Sequence, residues 1–414
     1  MARRKLLVVG AGMAAMRAIE ELIARAPDAY AITVVGAEPR PAYNRIMLSP
    51  VLAGEKAFED IVTHDAPWFA ANGINYIPGR SVDAVDRDGR TATLSDGRVL
   101  TWDRLLLATG SDPIVIPIPG HDLPGVVAYR DLDDVDAMIA AGACRALVIG
   151  GGLLGLEAAA GLAARGATTT VLHLMPWVME RQLDEAAASL LKADLEGKGV
   201  DVVLQADTAY IEGDERVSAV VLKDGRRFDV DIVVMAVGIR PNATLAKAMG
   251  LDVERGIVVD DFMTTNDPAV FAVGECAQHR GVCYGLVAPL FESAKGLADR
   301  LAGLETPGYA GSALSTRLKV TGVDLFSAGD FSGGPDVQDL VFRDLGRGIY
   351  KRLCLQDDRL IGAVLYGDCA DGGWYFDLIR AGVDVSKFRD AMIFGQAYAD
   401  GAAGAAASQT AEAA

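Results

Sequence analysis

The sequence predicts an α/β protein with two Rossmann-like dinucleotide-binding domains and a small α+β domain at its C-terminal end. Three observations predict it. KLLVVGAGMAA at Lys5–Ala15 and RALVIGGGLLG at Arg145–Gly155, 140 residues apart, are short apolar runs opening into G-x-G-x-x-A and G-x-G-x-x-G. LLLATGSDP at Leu105–Pro113 and IVVMAVGIRPN at Ile232–Asn242 are a second pair of repeats, each an apolar strand closing on a glycine turn where a nucleotide unit should end. From Ala310 the texture becomes β-rich, with STRLKVTGVDLFSAGDF and GIYKRLCLQDDRLIGAVLYGD punctuated by Gly333-Gly334 and Asp357-Asp358.

Composition narrows the function. A chain of 414 residues suits two or three domains. With 39 Lys and Arg against 56 Asp and Glu, the net charge of −17 argues against gripping nucleic-acid phosphates and for a soluble acidic surface. A hydrophobic fraction of 51% with 23% charged residues supplies sizeable cores and excludes wholesale disorder. The cysteines, Cys144, Cys276, Cys283, Cys354 and Cys369, are odd in number and lack any C-x-x-C, so they fit neither a disulfide framework nor a metal cage. A reducing cytoplasm is the expected setting. Arg3, Arg4 and Lys5 before an apolar run imitate an export signal, but Gly10 and Gly12 interrupt that run at the spacing of a nucleotide-binding turn. The richest apolar stretch, Ala146–Leu156, stops at Glu157, so no membrane span is expected.

Taken in order, the first unit starts with an apolar run that reads as a buried parallel strand. Gly10 then makes the tight turn, Gly12 admits a pyrophosphate to the backbone, and Ala15 lets helix pack on strand. The anion meets the positive end of the helix opened by Met13 and Ala14, which runs to Arg25. The second strand, Ile32–Val35, leads to Glu38, placed to accept hydrogen bonds from ribose hydroxyls. In the second unit Gly150, Gly152 and Gly155 repeat the motif, Leu154 lies in the turn, Leu153–Arg165 is the helix and Thr169–Leu172 the next strand. His173 takes the strand-end position where a carboxylate would favour NADH and an arginine the 2′-phosphate of NADPH. It reads equally as a ribose contact or a solvated loop histidine, which leaves the coenzyme preference open.

The paired motifs resemble the two-dinucleotide-binding flavoproteins, which include rubredoxin, ferredoxin and disulfide reductases. The resemblance covers nearly all of residues 5 to 395. It implies an FAD site in the first unit and an NAD(P)H site in the second. It divides the chain into an FAD domain at 1–112 and 245–308, an NAD(P)H domain at 113–244, a reductase-type C-terminal domain at 309–396 and a disordered tail at 397–414. TTNDPAVFAVGECA at Thr264–Ala277 is similar to the family's second flavin motif, with Gly274 in place and Glu275 where an Asp usually meets the ribityl chain. By the same resemblance Val82 touches adenine, Thr109 and Gly110 line the flavin pocket, Glu157 turns toward the nicotinamide end, and Gly238 and Ile239 approach the nicotinamide. Pro289 reads either as opening a helix aimed at the flavin pyrimidine or as opening a surface helix.

AEPRPAYNRIMLSPVLAGE at Ala37–Glu55 resembles the ferredoxin-reductase-like segment, which gives Arg45 an FAD contact. Pro50 stands where those members carry a lysine near flavin N5. Together with HLMPWVMERQLD at His173–Asp184 and VGECAQHRGVCYGLVAPLFE at Val273–Glu292, this segment resembles the N-terminal flavin module of the NAD(P)H-dependent nitrite reductase large subunit. The same module serves as the electron-transfer subunit of assimilatory nitrate reductases. The chain ends before the iron–sulfur and siroheme parts that the resemblance would add, so nitrite reduction on its own is not expected.

No thiol precedes Cys144, so electrons are not expected to leave through a cysteine beside the flavin, and Cys276 and Cys283 read as small packed thiols rather than a redox pair. The expected reaction carries electrons from NAD(P)H through FAD to a separate redox protein. A nitrate or nitrite reductase component comes first, then a ferredoxin or rubredoxin. No side chain need act as acid or base, and no metal is expected. An NADH oxidase and a non-catalytic flavin redox sensor are the alternatives. Trp374 and Tyr375 read as domain core, as a docking face or as a stack near the flavin. Nothing in the sequence sets the oligomeric state.

Overall fold

A computed structural model describes residues 3–320 and 322–402. The chain forms two compact units, the first from Met1–Ile114, Arg130–Val135 and Gly238–Ser312, the second from Val115–Tyr129, Asp136–Val237 and Ala313–Ala414.

The first unit is built on a parallel five-stranded sheet in the order Val270–Ala272, Arg104–Leu107, Arg4–Val9, Tyr30–Gly36, Asn75–Pro78. Its central strands are near-continuous apolar runs, with Leu6, Leu7, Val8 and Leu105–Leu107 buried in one core that also takes in residues of the helices Met13–Arg25 and Val287–Ala302 and of the strand Thr91–Leu94. Val8 lies beside both Val34 and Leu106, so the apolar positions of three strands align in one layer. The helix Met13–Arg25 buries Ala15, Met16, Ala18, Ile19 and Leu22, a stripe at helical spacing. Arg25 at its last turn pairs with Asp299 of the helix Val287–Ala302 at 2.5 Å. The expected second flavin segment contributes the strand Val270–Ala272, which joins this sheet beside Arg104–Leu107. A three-stranded antiparallel meander, Val82–Asp86, Thr91–Leu94 and Val99–Thr101, completes the unit's larger elements.

The second unit repeats the plan. Its parallel sheet runs Val126–Ala128, Ile232–Met235, Arg145–Ile149, Thr168–Leu172, Val200–Val203. A C-terminal antiparallel sheet follows, in the order Ser315–Val320, Val323–Gly329, Arg359–Tyr366, Ile349–Gln356, Gln338–Asp344. Asp357 and Asp358, with φ of 49° and 53°, make the left-handed turn between two of its strands. Tyr375 is fully buried in the core of this sheet and its helices, while Trp374 is half-buried against it, which favours the core reading of that pair. The stretch from 397, expected as a tail, is helical to 402 and buries Ala399 in the same core; residues 403–414 lie outside the described residues. Alanine is as good a helix former as a linker residue, and packing decides between the two.

Candidate functional site

Each parallel sheet ends in a glycine turn of the same construction. Gly10 has φ of 107° and Gly150 of 123°, and a Cβ at either would fall 2.1 Å from the Ala108 carbonyl oxygen or 2.3 Å from that of Ala236. Only glycine fits, because the turn passes directly over the neighbouring strand. Gly155 is tighter still: a Cβ there would lie 1.9 Å from the Gly150 carbonyl oxygen, which is why the second motif ends in glycine. Gly12 and Gly152 differ in kind. Each is the N-cap of its helix in extended conformation, neither end has a side-chain cap, and a Cβ at either would meet nothing within 4 Å. The first-turn N–H groups of both helices therefore face open space with the positive end of the dipole, which is the cradle a pyrophosphate requires. The residues present fit two dinucleotides.

In the first unit the remaining expected residues converge on this turn. Gly274 stands so close to Ala14 that a Cβ there would come within 3.1 Å of the alanine methyl, which brings the second flavin segment against the first cradle. Glu275 accepts hydrogen bonds from Ser111 Oγ at 2.8 Å and from Arg130 at 2.6 Å. Arg45 donates to the Arg130 carbonyl at 2.5 Å and to Glu38, and Tyr43 Oη donates to Glu38 at 2.7 Å. Burial, with the Glu38 carboxylate beside it, pushes the Tyr43 hydroxyl above the ordinary tyrosine range. Glu38, Arg45, Arg130 and Glu275 are thus linked in one hydrogen-bonded chain, with the two arginines between the two carboxylates.

Other expected residues fall nearby. Thr109 Oγ1 donates to the Asn242 carbonyl at 2.6 Å, and Gly110 is left-handed at φ 68°. Val82 is buried at the start of the meander, and the N–H of Gly79 just before it donates to the Glu38 carbonyl. Pro289 is a buried third residue of the helix that Val287 begins, so the helix starts two residues earlier than the proline suggests. Pro50 sits in the short helix Leu48–Ala53. Gly238 and Ile239 fall in the first unit, where Ile239 pairs with Pro113.

In the second unit His173 is not a solvated loop residue. It is buried, its Nδ1 accepts the Gly151 N–H at 3.0 Å and its Nε2 contacts Glu180 at 3.0 Å. An Nδ1 that accepts leaves the proton on Nε2, so both ring nitrogens are committed within the protein. Leu154 is exposed on the first turn of its helix, and Glu157 is half-buried one turn further in. Arg130, Ser111, Glu180 and Tyr43 were not singled out by the sequence reading. A buried carboxylate at position 275 implies a cationic partner, but nothing in AYRDLDD marks Arg130 as that partner.

Cys276 is buried with Sγ directed at the carbonyls of Val273 and Leu107, Cys354 and Cys369 are buried, and Cys144 and Cys283 are half-buried; all five are free. Among the described residues no His, Cys, Asp and Glu cluster forms a metal site, and no helix is long and apolar enough to cross a membrane.

The sequence pattern of the pyridine nucleotide-disulphide oxidoreductases matches residues 4–294, and that of the rubredoxin NAD+ reductase C-terminal domain matches residues 315–383. Over 389 residues the chain is 48% identical to nitrite reductase [NAD(P)H] of Bacillus subtilis (strain 168), covering 94% of this chain and 48% of that protein. It is 41% identical over 395 residues to the assimilatory nitrate reductase electron transfer subunit of the same organism, covering 95% and 51%. The chain spans about half the length of these relatives. Among solved structures, putidaredoxin reductase from its covalent complex with putidaredoxin superposes with a TM-score of 0.83 at 28% identity, covering 93% of this chain and 94% of that one.

Proposed function

Because the chain belongs to the pyridine nucleotide-disulphide oxidoreductase family, we propose that it takes electrons from NAD(P)H through FAD to a separate redox protein, a nitrate or nitrite reductase component in nitrogen assimilation. Its cofactors are FAD and NAD(P)H, and it is an NAD(P)H-dependent oxidoreductase. The observation that carries the reading is the pair of open helix N-termini at Gly12 and Gly152, one in each parallel unit. FAD, when bound, accepts electrons in pairs and releases them singly.

The chain's own residues bind and orient. Met13, Ala14 and Ala15 present N–H groups to the flavin pyrophosphate beside Gly10 and Gly12. Glu38 receives ribose hydroxyls, with Arg45 and Tyr43 holding its carboxylate in place. Glu275, fixed by Arg130 and Ser111, faces the ribityl chain, and Val82, Thr109, Gly110, Gly274 and Pro289 line the remainder. Gly150, Gly152, Leu154 and Gly155 cradle the coenzyme pyrophosphate, with Glu157 toward its nicotinamide. His173 supports this cradle through Gly151 instead of touching the ribose. Hydride transfer needs no acid or base from the protein, only near-attack placement of the two rings.

The absence of any thiol before Cys144 favours an outward path to a partner over a cysteine relay. Five free thiols suit a reducing cytoplasm, where we place the protein. The test begins anaerobically, where NADH should bleach the flavin of reconstituted protein; return of colour should then be slow on admitting dioxygen and fast on adding purified nitrate or nitrite reductase components. Equal rates with and without every partner, including ferredoxin and rubredoxin, would overturn the reading.

A further inference from the structure

The segment that follows the second cradle's strand, residues 173–184, folds back onto the glycine turn and binds it from both sides. The Gly151 N–H donates to His173 Nδ1 at 3.0 Å, and the Gly151 carbonyl accepts the Met179 N–H at 2.9 Å. Gly151 has no room for a side chain, since a Cβ would lie 2.7 Å from His173 Cγ. Both polar groups of the residue between Gly150 and Gly152 are thus held by this loop, and its geometry sets where the phosphate-binding N–H groups stand. The loop is internally braced as well. Met179 is left-handed at φ 53°, its carbonyl accepts N–H groups of Gln182 and Leu183, and Trp177 Nε1 donates to the Leu183 carbonyl at 3.2 Å.

The far end of the loop is anchored elsewhere. Asp184 caps the helix Glu185–Gly197 through Oδ1, which accepts the Ala187 N–H at 3.0 Å. Its Oδ2 faces the C-terminal sheet and accepts from Tyr350 Oη at 2.6 Å and Arg352 at 3.3 Å. Both side chains come from the strand Ile349–Gln356. Burial and the Asp184 carboxylate together push the Tyr350 hydroxyl above its ordinary range, which keeps it protonated as a donor. A second tyrosine, Tyr366 on the adjacent strand, donates to Asp194 toward the other end of the same helix.

We propose that Asp184, held by Tyr350 and Arg352, is a positioning residue for the pyridine-coenzyme site, so that the C-terminal sheet sets coenzyme affinity through the loop bound to Gly151. The proposal rests on the second cradle being the NAD(P)H site. The loop has two fixed ends, one on the phosphate turn and one on the sheet. Releasing the sheet end frees the loop to rotate about its hold on Gly151, and the preorganisation of the turn is lost.

The two tyrosines make an internal control, since both donate to a carboxylate of one helix but only Tyr350 acts at the loop. Equilibrium binding of NAD+ to the FAD-loaded protein, by calorimetry, is the primary readout, and KM for NADH the second. Tyr350→Phe and Asp184→Asn should each weaken NAD+ binding and raise KM about fivefold or more, with FAD content unchanged. Tyr366→Phe should lower thermal stability yet leave NAD+ affinity within twofold. Affinity unchanged in Tyr350→Phe and Asp184→Asn, or lowered equally in Tyr366→Phe, overturns the proposal by reducing the contacts to simple domain docking. A wild-type protein that binds no pyridine coenzyme overturns the underlying function instead.

Discussion

Arg130 and Glu275, 145 residues apart in the chain, meet at 2.6 Å in the first unit, each with more than four-fifths of its side chain buried. The pair has a consequence for single substitutions. Removing the carboxylate leaves a buried guanidinium without its counter-charge, whereas an amide keeps an acceptor for Ser111 and Arg130. Glu275→Ala should cost about 3 kcal/mol of stability in the flavin-free protein and Glu275→Gln clearly less, as urea unfolding would show. Equal losses in the two variants would remove the charge from the explanation.

The two kinds of glycine in each cradle should separate fold from ligand. Gly10→Ala forces a methyl to within 2.1 Å of a backbone oxygen and should destabilise the flavin-free protein by at least about 2 kcal/mol. Gly12→Ala meets no protein atom within 4 Å, so its melting temperature without flavin should match wild type while FAD retention on gel filtration falls. Loss of stability in Gly12→Ala would mean that the open space belongs to the fold rather than to a ligand.

Two buried thiols predict a falling stability at alkaline pH. Burial pushes Cys354 and Cys369 up to about 12 from an ordinary 9.0. Between those values the unfolded thiols give up protons that the folded ones keep, so the unfolded state binds fewer protons and stability decreases as pH rises. Each thiol contributes a slope of up to about 1.4 kcal/mol per pH unit above pH 9. Denaturation midpoints from pH 8 to 10.5 should fall more steeply in wild type than in Cys354→Ala, Cys369→Ala.

Tyr375 buries its ring in the C-terminal core and donates to the Met392 carbonyl at 2.6 Å. Tyr375→Phe keeps the ring and removes one of two donors to that carbonyl, which the Gly395 N–H also reaches at 3.0 Å, so it should cost about 1 kcal/mol. Calorimetry that finds no change would show the Gly395 N–H alone satisfying the carbonyl.

What the sequence reveals of this molecule follows how far apart the cooperating residues lie. Gly10, Gly12 and Ala15, or Gly150, Gly152 and Gly155, act within one turn, so their spacing alone announces a cradle. Glu38 is legible too, because a strand of known length fixes where it emerges. Arg130 is not, since only tertiary folding brings it to Glu275, and the surrounding acids disguise it as a solvated helix start. His173 misleads for a different reason. It does follow the strand Thr168–Leu172, but whether a strand-end side chain points outward or back depends on Gly151 and Glu180, and the loop that carries Glu180 has no periodicity to read.

The uneven burial of the thiols has a practical side. Cys276, Cys354 and Cys369 are shut away, while Cys144 lies in the second unit and Cys283 in the first, both partly reachable. The native chain therefore carries one attachment point for a fluorophore on each body, and a donor and acceptor dye placed there would report, without any engineered handle, whether the separation between the bodies changes as coenzyme arrives.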